Sequence, residues 1–335
     1  MKTNPYPVKF FFLFAFLILF FLMDVLLGSV SISLPNFFSN LFTTADSTWH
    51  TIIWQFRFPK AVTCVLAGAS LACGGLLMQT LFRNPLAGPD VLGLSSGASL
   101  AVGIVVLAGK NLNGHAGTWG LALAAGLGGM MVLLFMLAIA RTLRDNVSLL
   151  IIGLMLAAAV SSLMSVLQYV SRAEDLQFYF LWTMGSVSNT GWSEVGVMAF
   201  IFLIGASVSM GLIKPLNGWL LGENYAHSLG IRVGRSRILI VVATGLMTGA
   251  ITAFCGPIAF VGLAVPHLAR LVMQTADHKI LLPTVMAGGA ILLLVCDVLA
   301  QRISDVQSVP LNALTSLIGA PIVIWQVMKF KKVSV

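Results

Sequence analysis

The sequence predicts an all-α integral membrane protein with about ten transmembrane helices and both termini cytoplasmic. Three observations predict it. Hydrophobic residues fill 58% of the 335 positions and charged residues only 9%, where a soluble domain carries about 25% charged. So little charge cannot cover a soluble surface, and a chain so apolar does not stay disordered. The apolar residues fall into runs close to the ~20 that cross a bilayer, separated by short connections. Lys and Arg are shared unequally between alternate connections.

The first run covers 8–28, behind Lys2 and Lys9. It looks like a secretory leader, but no small-x-small cleavage site follows and its length suffices to span, so it reads as an uncleaved helix. Further runs cover 58–82, 91–109, 119–140, 148–170, 194–213, 236–256, 258–273, 281–301 and 311–328. No connection could hold a soluble domain, so 1–335 reads as one transmembrane unit. With the N-terminus inside and strict alternation, fourteen of the 19 Lys and Arg residues face the cytoplasm. The others are Arg57, Lys60, Lys110, Arg172 and Arg302. The net charge of +8 is therefore a topological signal; the basic residues lack neighbouring stacking aromatics, and nucleic acid is not an expected partner. Cys64, Cys73, Cys255 and Cys296 each sit in an apolar run without a CxxC, as small core residues do.

Two connections carry more than turn chemistry. Residues 171–190 mix charges with aromatics on the outer side, which suits a short interfacial helix. Residues 214–237, the longest cytoplasmic connection, mix Leu, Trp and Tyr with Glu223, His227 and basic residues. There Leu221, Tyr225 and Ser228 or Leu229 recur at one-turn spacing and share a face. Gly222 and Gly230 would bound that helix, with Gly230 suited to its C-terminal cap and Glu223 to its N-terminal dipole. It either lies on the membrane surface or docks on a soluble partner.

Chemistry-bearing motifs are sparse. Gly93-Leu94-Ser95-Ser96-Gly97 matches GxSxG, a pattern that chance supplies readily among 32 glycines. Gly109-Lys110 lacks the preceding Gly and the following Ser or Thr of a P-loop, so ATP, if it is used, is hydrolysed by another polypeptide. Asp24 and Asp297 lie near run ends, and no carboxylate falls convincingly at mid-membrane, where a proton- or sodium-coupled carrier needs one. Breaker clusters at 84–90, at Gly256-Pro257 and at Pro266-His267 mark either tight turns or discontinuous helices around a path.

At these clusters the residues carry a family resemblance. LAGASLACGGLLMQTLFRNPLAGPDVLGLSSGA (66–98), WLLGENYAHSLGI (219–231), GPIAFVGLAVPHLAR (256–270) and LTSLIGAPIVIW (314–325) resemble FecCD-type permeases, the BtuC-like membrane subunits of importers for iron–siderophore, haem and cobalamin. RFPK (57–60) is similar to that family's R-x-P-R. The motif positions here are Gln79, Arg83, Asn84, Pro85, Gly88, Pro89, Gly93 and Gly97; Gly256, Pro257, Gly262, Pro266, His267 and Arg270; and Gly319 and Pro321. The chain departs from the pattern at Lys60, at Gln301, where Arg is usual, at Ser308 and at Asn312.

The resemblance implies a non-enzymatic permease subunit in the inner membrane that moves its cargo by alternating access. No cofactor or metal is expected in this chain. The implied partners are a second permease subunit, expected to be identical, two cytoplasmic ABC ATPases that bind ATP and Mg, and an extracytoplasmic binding protein. Arg57, Lys60 and Arg302 would meet that binding protein, or else snorkel at the interface. Leu220, Leu221, Gly222, Glu223, Tyr225, Ala226, Leu229 and Gly230 would couple to the ATPase. The rival class is an ion- or proton-coupled secondary transporter.

Overall fold

The computed structural model describes residues 5–28, 48–108, 118–143, 146–303 and 309–331. Among these every regular element is helical. Each apolar run lies on a helix. The chain gives α1 (Tyr6–Leu26), α2 (Thr48–Phe82), α3 (Leu94–Gly103), α4 (Thr118–Thr142), α5 (Asn146–Tyr169), α6 (Ala173–Thr183) and α7 (Trp192–Gly211). Then come α8 (Ile213–Leu220), α9 (Glu223–Ser228), α10 (Val233–Cys255), α11 (Val261–Met273), α12 (His278–Ile303) and α13 (Leu311–Lys331). Seven of the described helices are long and apolar enough to cross a bilayer; Leu94–Leu107, Val261–Met273 and Leu311–Trp325 are shorter. At about 1.5 Å per residue, the 13 residues of α11 reach roughly 20 Å, short of the ~30 Å hydrocarbon core.

The breakers act locally. After α2, Arg83 adopts a left-handed conformation (φ 47°), and Asn84 N–H bonds back to Gln79 O at 3.2 Å. Asn84 Oδ1 then accepts the Leu86 N–H at 2.9 Å, an Asx turn around Pro85 that stops the helix. A 3₁₀ turn, Pro89–Leu92, leads into α3, which starts after left-handed Gly93 rather than at 91. Pro266, expected to interrupt, is instead carried inside α11. The expected connection 214–237 is largely helical: α8 follows α7 across Leu212 alone, and α10 begins at Val233.

The α2 helix runs through the centre, against α12, α10, α11 and α7. From Leu66 to Phe82 every residue is buried, so the run has no polar face. Its small residues set the spacing of its neighbours. A Cβ on Gly75 would lie 1.7 Å from Gly262 O of α11, and one on Gly68 2.1 Å from Gly289 O of α12. The backbones touch there, as small residues allow in lipid. Gly97 and Gly128 make the same close crossing between α3 and α4. Helices α1, α4, α5 and α7 turn Phe11, Phe12, Leu123, Met131, Ile151, Met155, Phe200 and Leu203 outward, an apolar belt for lipid.

Basic side chains from other parts of the chain close three helix ends. Arg57 Nη1 donates to Val25 O and Leu26 O at the end of α1, at 2.8 and 2.9 Å. Arg237 Nη1 donates to Leu143 O after α4, and Lys9 Nζ to Val272 O in α11, both at 2.8 Å. Each cation satisfies an orphan carbonyl and meets the negative end of the helix dipole.

Gly75→Ala should destabilise the protein by about 1–3 kcal/mol, as overpacking does. Gly196→Ala, with open space around the new methyl, should be neutral. Thermal unfolding of the detergent-solubilised variants measures both.

Candidate functional site

Three regions bring sequence-singled residues together. The first lies at the end carrying Arg83, Lys214, Arg232 and Lys279, which the charge distribution assigns to the cytoplasm. Here α8 and α9 form an angled pair. Gly222 (φ 109°) separates them and Gly230 (φ 76°) ends α9, conformations that favour glycine. Ala226 N–H closes on Gly222 O at 2.9 Å, and Ile231 N–H on Ala226 O at 3.1 Å. Ala226, Leu216 and Trp219 face inward, fully buried. Leu220, Leu221, Tyr225 and Leu229 face away, with Leu221 64% exposed. Glu223 is the first residue of α9.

Behind this pair lies a polar network. Arg270 Nη1 donates to Gln79 Oε1 at 2.7 Å, and Gln79 Nε2 to Leu263 O at 3.2 Å. His267 Nε2 meets Pro85 O at 2.8 Å. Gly262 sits under Leu71 and Pro89 as well as Gly75. The motif stretches 66–98 and 256–270 are therefore one packed unit, joined at three successive levels. A second strand of the network was not anticipated: His278 Nε2 lies 2.9 Å from Thr80 Oγ1, and its Nδ1 2.7 Å from Asn217 Oδ1. Asn217 Nδ2 donates to Asp277 Oδ1 at 2.7 Å. The backbone N–H of Lys279 and the Asn217 amide hold Asp277 below the usual carboxylate range. A lone Asn after Pro215 and a lone His after Asp277 gave no periodic signal.

The second region is at the opposite end and corrects the rim expectation. Arg57 is 6% exposed and spends its guanidinium on α1. Lys60 Nζ is 2.5 Å from Asp297 Oδ2 and 3.6 Å from Asp24 Oδ1. Neither cation is presented to a partner: a buried charge is tolerated only when paired, and these pairs are internal. Arg302 is exposed. Gln301, one of the departures, donates through Nε2 to both Asp24 and Asp297. Cys64 lies with the two carboxylates, ligand-type atoms within 4.8 Å of one another, where Lys60 already supplies positive charge. Asp24 Oδ2 is buried without a hydrogen-bond partner. The signal was present: strict alternation puts Asp24, Lys60 and Asp297 all toward the same, outer side of the membrane.

The third region is a cavity of about 560 Å³ beside that end, between α6, the 184–189 segment, α10, α12 and α13. Phe178, Trp182, Val187 and Phe254 line it with Ser186, Asn189 and Asp297. Gly185 and Gly256, both at positive φ, let the 184–189 segment close on the α10–α11 break, where Ser186 N–H donates to Cys255 O at 2.8 Å. Asn312, another departure, accepts the Ala259 N–H at 2.9 Å and so holds that break to α13. Gly319 of the same helix leaves room for Phe260, which is left-handed at φ 66°. Pro321 lies within α13, exposed; no Cβ contact surrounds Gly88. Gly109, Lys110 and Ser308 fall outside the described residues.

Comparisons with known proteins agree with one another. The FecCD transport family model matches residues 16–329. The hemin transport system permease protein HmuU of Yersinia pestis is 33% identical over 320 residues, 95% of this chain and 94% of that protein. The vitamin B12 import system permease protein BtuC of Klebsiella pneumoniae is 37% identical over 277 residues, 83% of this chain and 82% of that protein. A solved ABC transporter assigned to the metal-chelate type, in an inward-facing conformation, matches with a TM-score of 0.85 at 30% identity, covering 97% of this chain and 100% of that chain.

Lys60→Met strands two buried carboxylates and should cost about 3–5 kcal/mol. Lys60→Arg should keep most of that stability, and Arg302→Glu all of it. Melting temperatures of the purified variants would order them, and equal values for Lys60→Met and wild type would refute the internal pairing.

Proposed function

Since the chain belongs to the FecCD transport family, we propose that it is the membrane-spanning permease subunit of an ATP-driven importer for an iron chelate, haem or cobalamin. One observation of this chain supports the reading most directly. The α8–α9 pair turns Leu221, Tyr225 and Leu229 away from the protein at the end assigned to the cytoplasm. A buried Ala226 and Trp219 anchor it from behind. Apolar side chains held outward on a braced, glycine-bounded turn suit a groove in a soluble protein better than water. The sequence has no P-loop, so a partner ATPase is the occupant this reading requires, and ATP and Mg belong to that partner.

The rest of the assembly follows from the same reading. A second copy of the chain completes the path, and an extracytoplasmic binding protein delivers cargo. Of the three rim residues only Arg302 is exposed to meet that protein. Exposed rim charges act mainly on association rate, so Arg302→Glu should slow docking and flatten its salt dependence in surface-binding kinetics. An ion-coupled carrier would need a carboxylate free to take a cation. Asp24 and Asp297 already share Lys60 and Gln301, which speaks against that class. Transport then proceeds by alternating access, with motion at the ATPase entering through α8–α9.

Reconstituted alone in liposomes, the chain should hydrolyse no ATP; with its partner ATPase, hydrolysis should appear and respond to loaded binding protein. Leu221→Asp should abolish ATPase assembly and transport while expression and binding-protein docking stay within about twofold of wild type, because a rim-free charge buried in an apolar groove costs several kcal/mol. Hydrolysis by the isolated chain, or assembly that survives Leu221→Asp, would overturn the reading.

A further inference from the structure

We propose that Asn217, His278 and Thr80 form the link that carries a displacement of α8–α9 into the end of α2, as positioning residues for transport. The proposal rests on reading α8–α9 as the ATPase-facing segment. Its own evidence is a hydrogen-bonded chain with a single polarity. The Asp277 carboxylate can only accept, so it takes the Nδ2–H of Asn217 at 2.7 Å and turns Oδ1 of that amide toward His278. Oδ1 can only accept in turn. It receives the His278 backbone N–H at 2.9 Å and the Nδ1–H at 2.7 Å. His278 is 1% exposed, and a buried imidazole is cheapest neutral. With its proton on Nδ1, Nε2 is an acceptor, and the Thr80 hydroxyl donates to it at 2.9 Å.

Each bond joins separate elements. Asn217 stands on α8, His278 opens α12, and Thr80 lies in the last turn of α2. The neighbouring Gln79 carries Arg270 of α11 on the other side of that turn. A movement of α8 that pulls on His278 therefore arrives where α2 meets both α11 and α12. The link is also one that can be cut without unfolding the helix. Thr80 Oγ1 lies 2.8 Å from Leu76 O, so the hydroxyl keeps an acceptor when His278 is gone. An apolar isostere leaves no orphaned donor on α2.

The test uses the complete complex of permease, partner ATPase and binding protein in proteoliposomes, reading basal ATP hydrolysis and its stimulation by the binding protein. Thr80→Val and Asn217→Ala should leave basal hydrolysis within about twofold and cut the stimulation ratio about tenfold, in the range of ordinary coupling between sites. Thr80→Ser, which keeps the hydroxyl, should restore it. The ratio does not depend on how much complex survives, so a merely structural role would leave it unmoved. A wild-type ratio in Thr80→Val, or a ratio that Thr80→Ser fails to restore, overturns the proposal. Leu221→Asp in the same assay separates the two readings. If it strips the ATPase while Thr80→Val and Asn217→Ala keep the wild-type ratio, the link alone fails. If the ATPase still assembles on it, the docking reading fails and takes the link with it.

Discussion

The structure depends on backbone contact along one helix. Between Leu66 and Phe82, α2 is buried on every side, and in lipid the attraction between helices comes from close packing rather than from exclusion of water. Gly68 against Gly289 and Gly75 against Gly262 bring main chain to main chain. That contact fixes α12 and α11 relative to α2 with almost no play, because a gap as small as a methyl group would forfeit the dispersion energy holding them. It also explains why so polar a set of residues tolerates burial at both ends of α2. Gln79, Thr80 and Lys60 face partners whose positions are already set by the glycine crossings, so their hydrogen bonds cost little further ordering.

The two ends of α2 are closed by different chemistry. At one end two carboxylates, a lysine and Gln301 are locked together, and Arg57 caps the neighbouring helix. Breaking such a set strands charge in a place without water, so it holds one arrangement. At the other end the bonds that run from α8 to α2 pass through amide, imidazole and hydroxyl groups. Neutral donors and acceptors re-pair at modest cost, and Thr80 has a second acceptor within reach. One end resists rearrangement and the other permits it.

How much of this was legible in the sequence divides along the same line. Hydropathy placed the long helices, because a spanning segment must be apolar over its whole length; α6, α8 and α9 lie in the connections between those runs. The end of α2 at 82 came directly from the Asn84-Pro85 stop, whereas its start lies at Thr48, ten residues before the run that hydropathy marks from 58. Glycine positions bounding α9 were readable too, since positive φ leaves few other residues. What composition could not give was pairing across the sequence. Arg57 and Lys60 read as rim charges because isolated basic residues at a span end usually meet water. Only the positions of Asp24 and of Asp297, far along the chain, turn Lys60 inward, and only the carbonyls at the end of α1 turn Arg57. Asn217 and His278 were invisible for a related reason. A single polar residue inside a short helix or at a helix start carries no periodic signal, and their partners lie 61 and 198 positions apart in the chain.

The departures from the family pattern at Lys60, Gln301 and Asn312 complete the argument, because each of the three is answered by a contact. Gln301 stands where a basic residue is usual, beside two carboxylates already paired with Lys60, and its amide donates to both. A second cation there would add charge to a cluster already facing Arg57; an amide adds hydrogen bonds without charge. Asn312 replaces a small residue at the start of α13 and uses its side-chain oxygen to hold Ala259, next to left-handed Phe260. An aromatic residue at positive φ persists only when its surroundings over-determine it. Here Asn312 fixes the backbone on one side and Gly319 opens space for the ring on the other. The exceptions sit at the cavity end, where α6, the 184–189 segment and the α10–α11 break converge. Gln301 and Asn312 thus tension the outer end of a helix frame that the glycine crossings set.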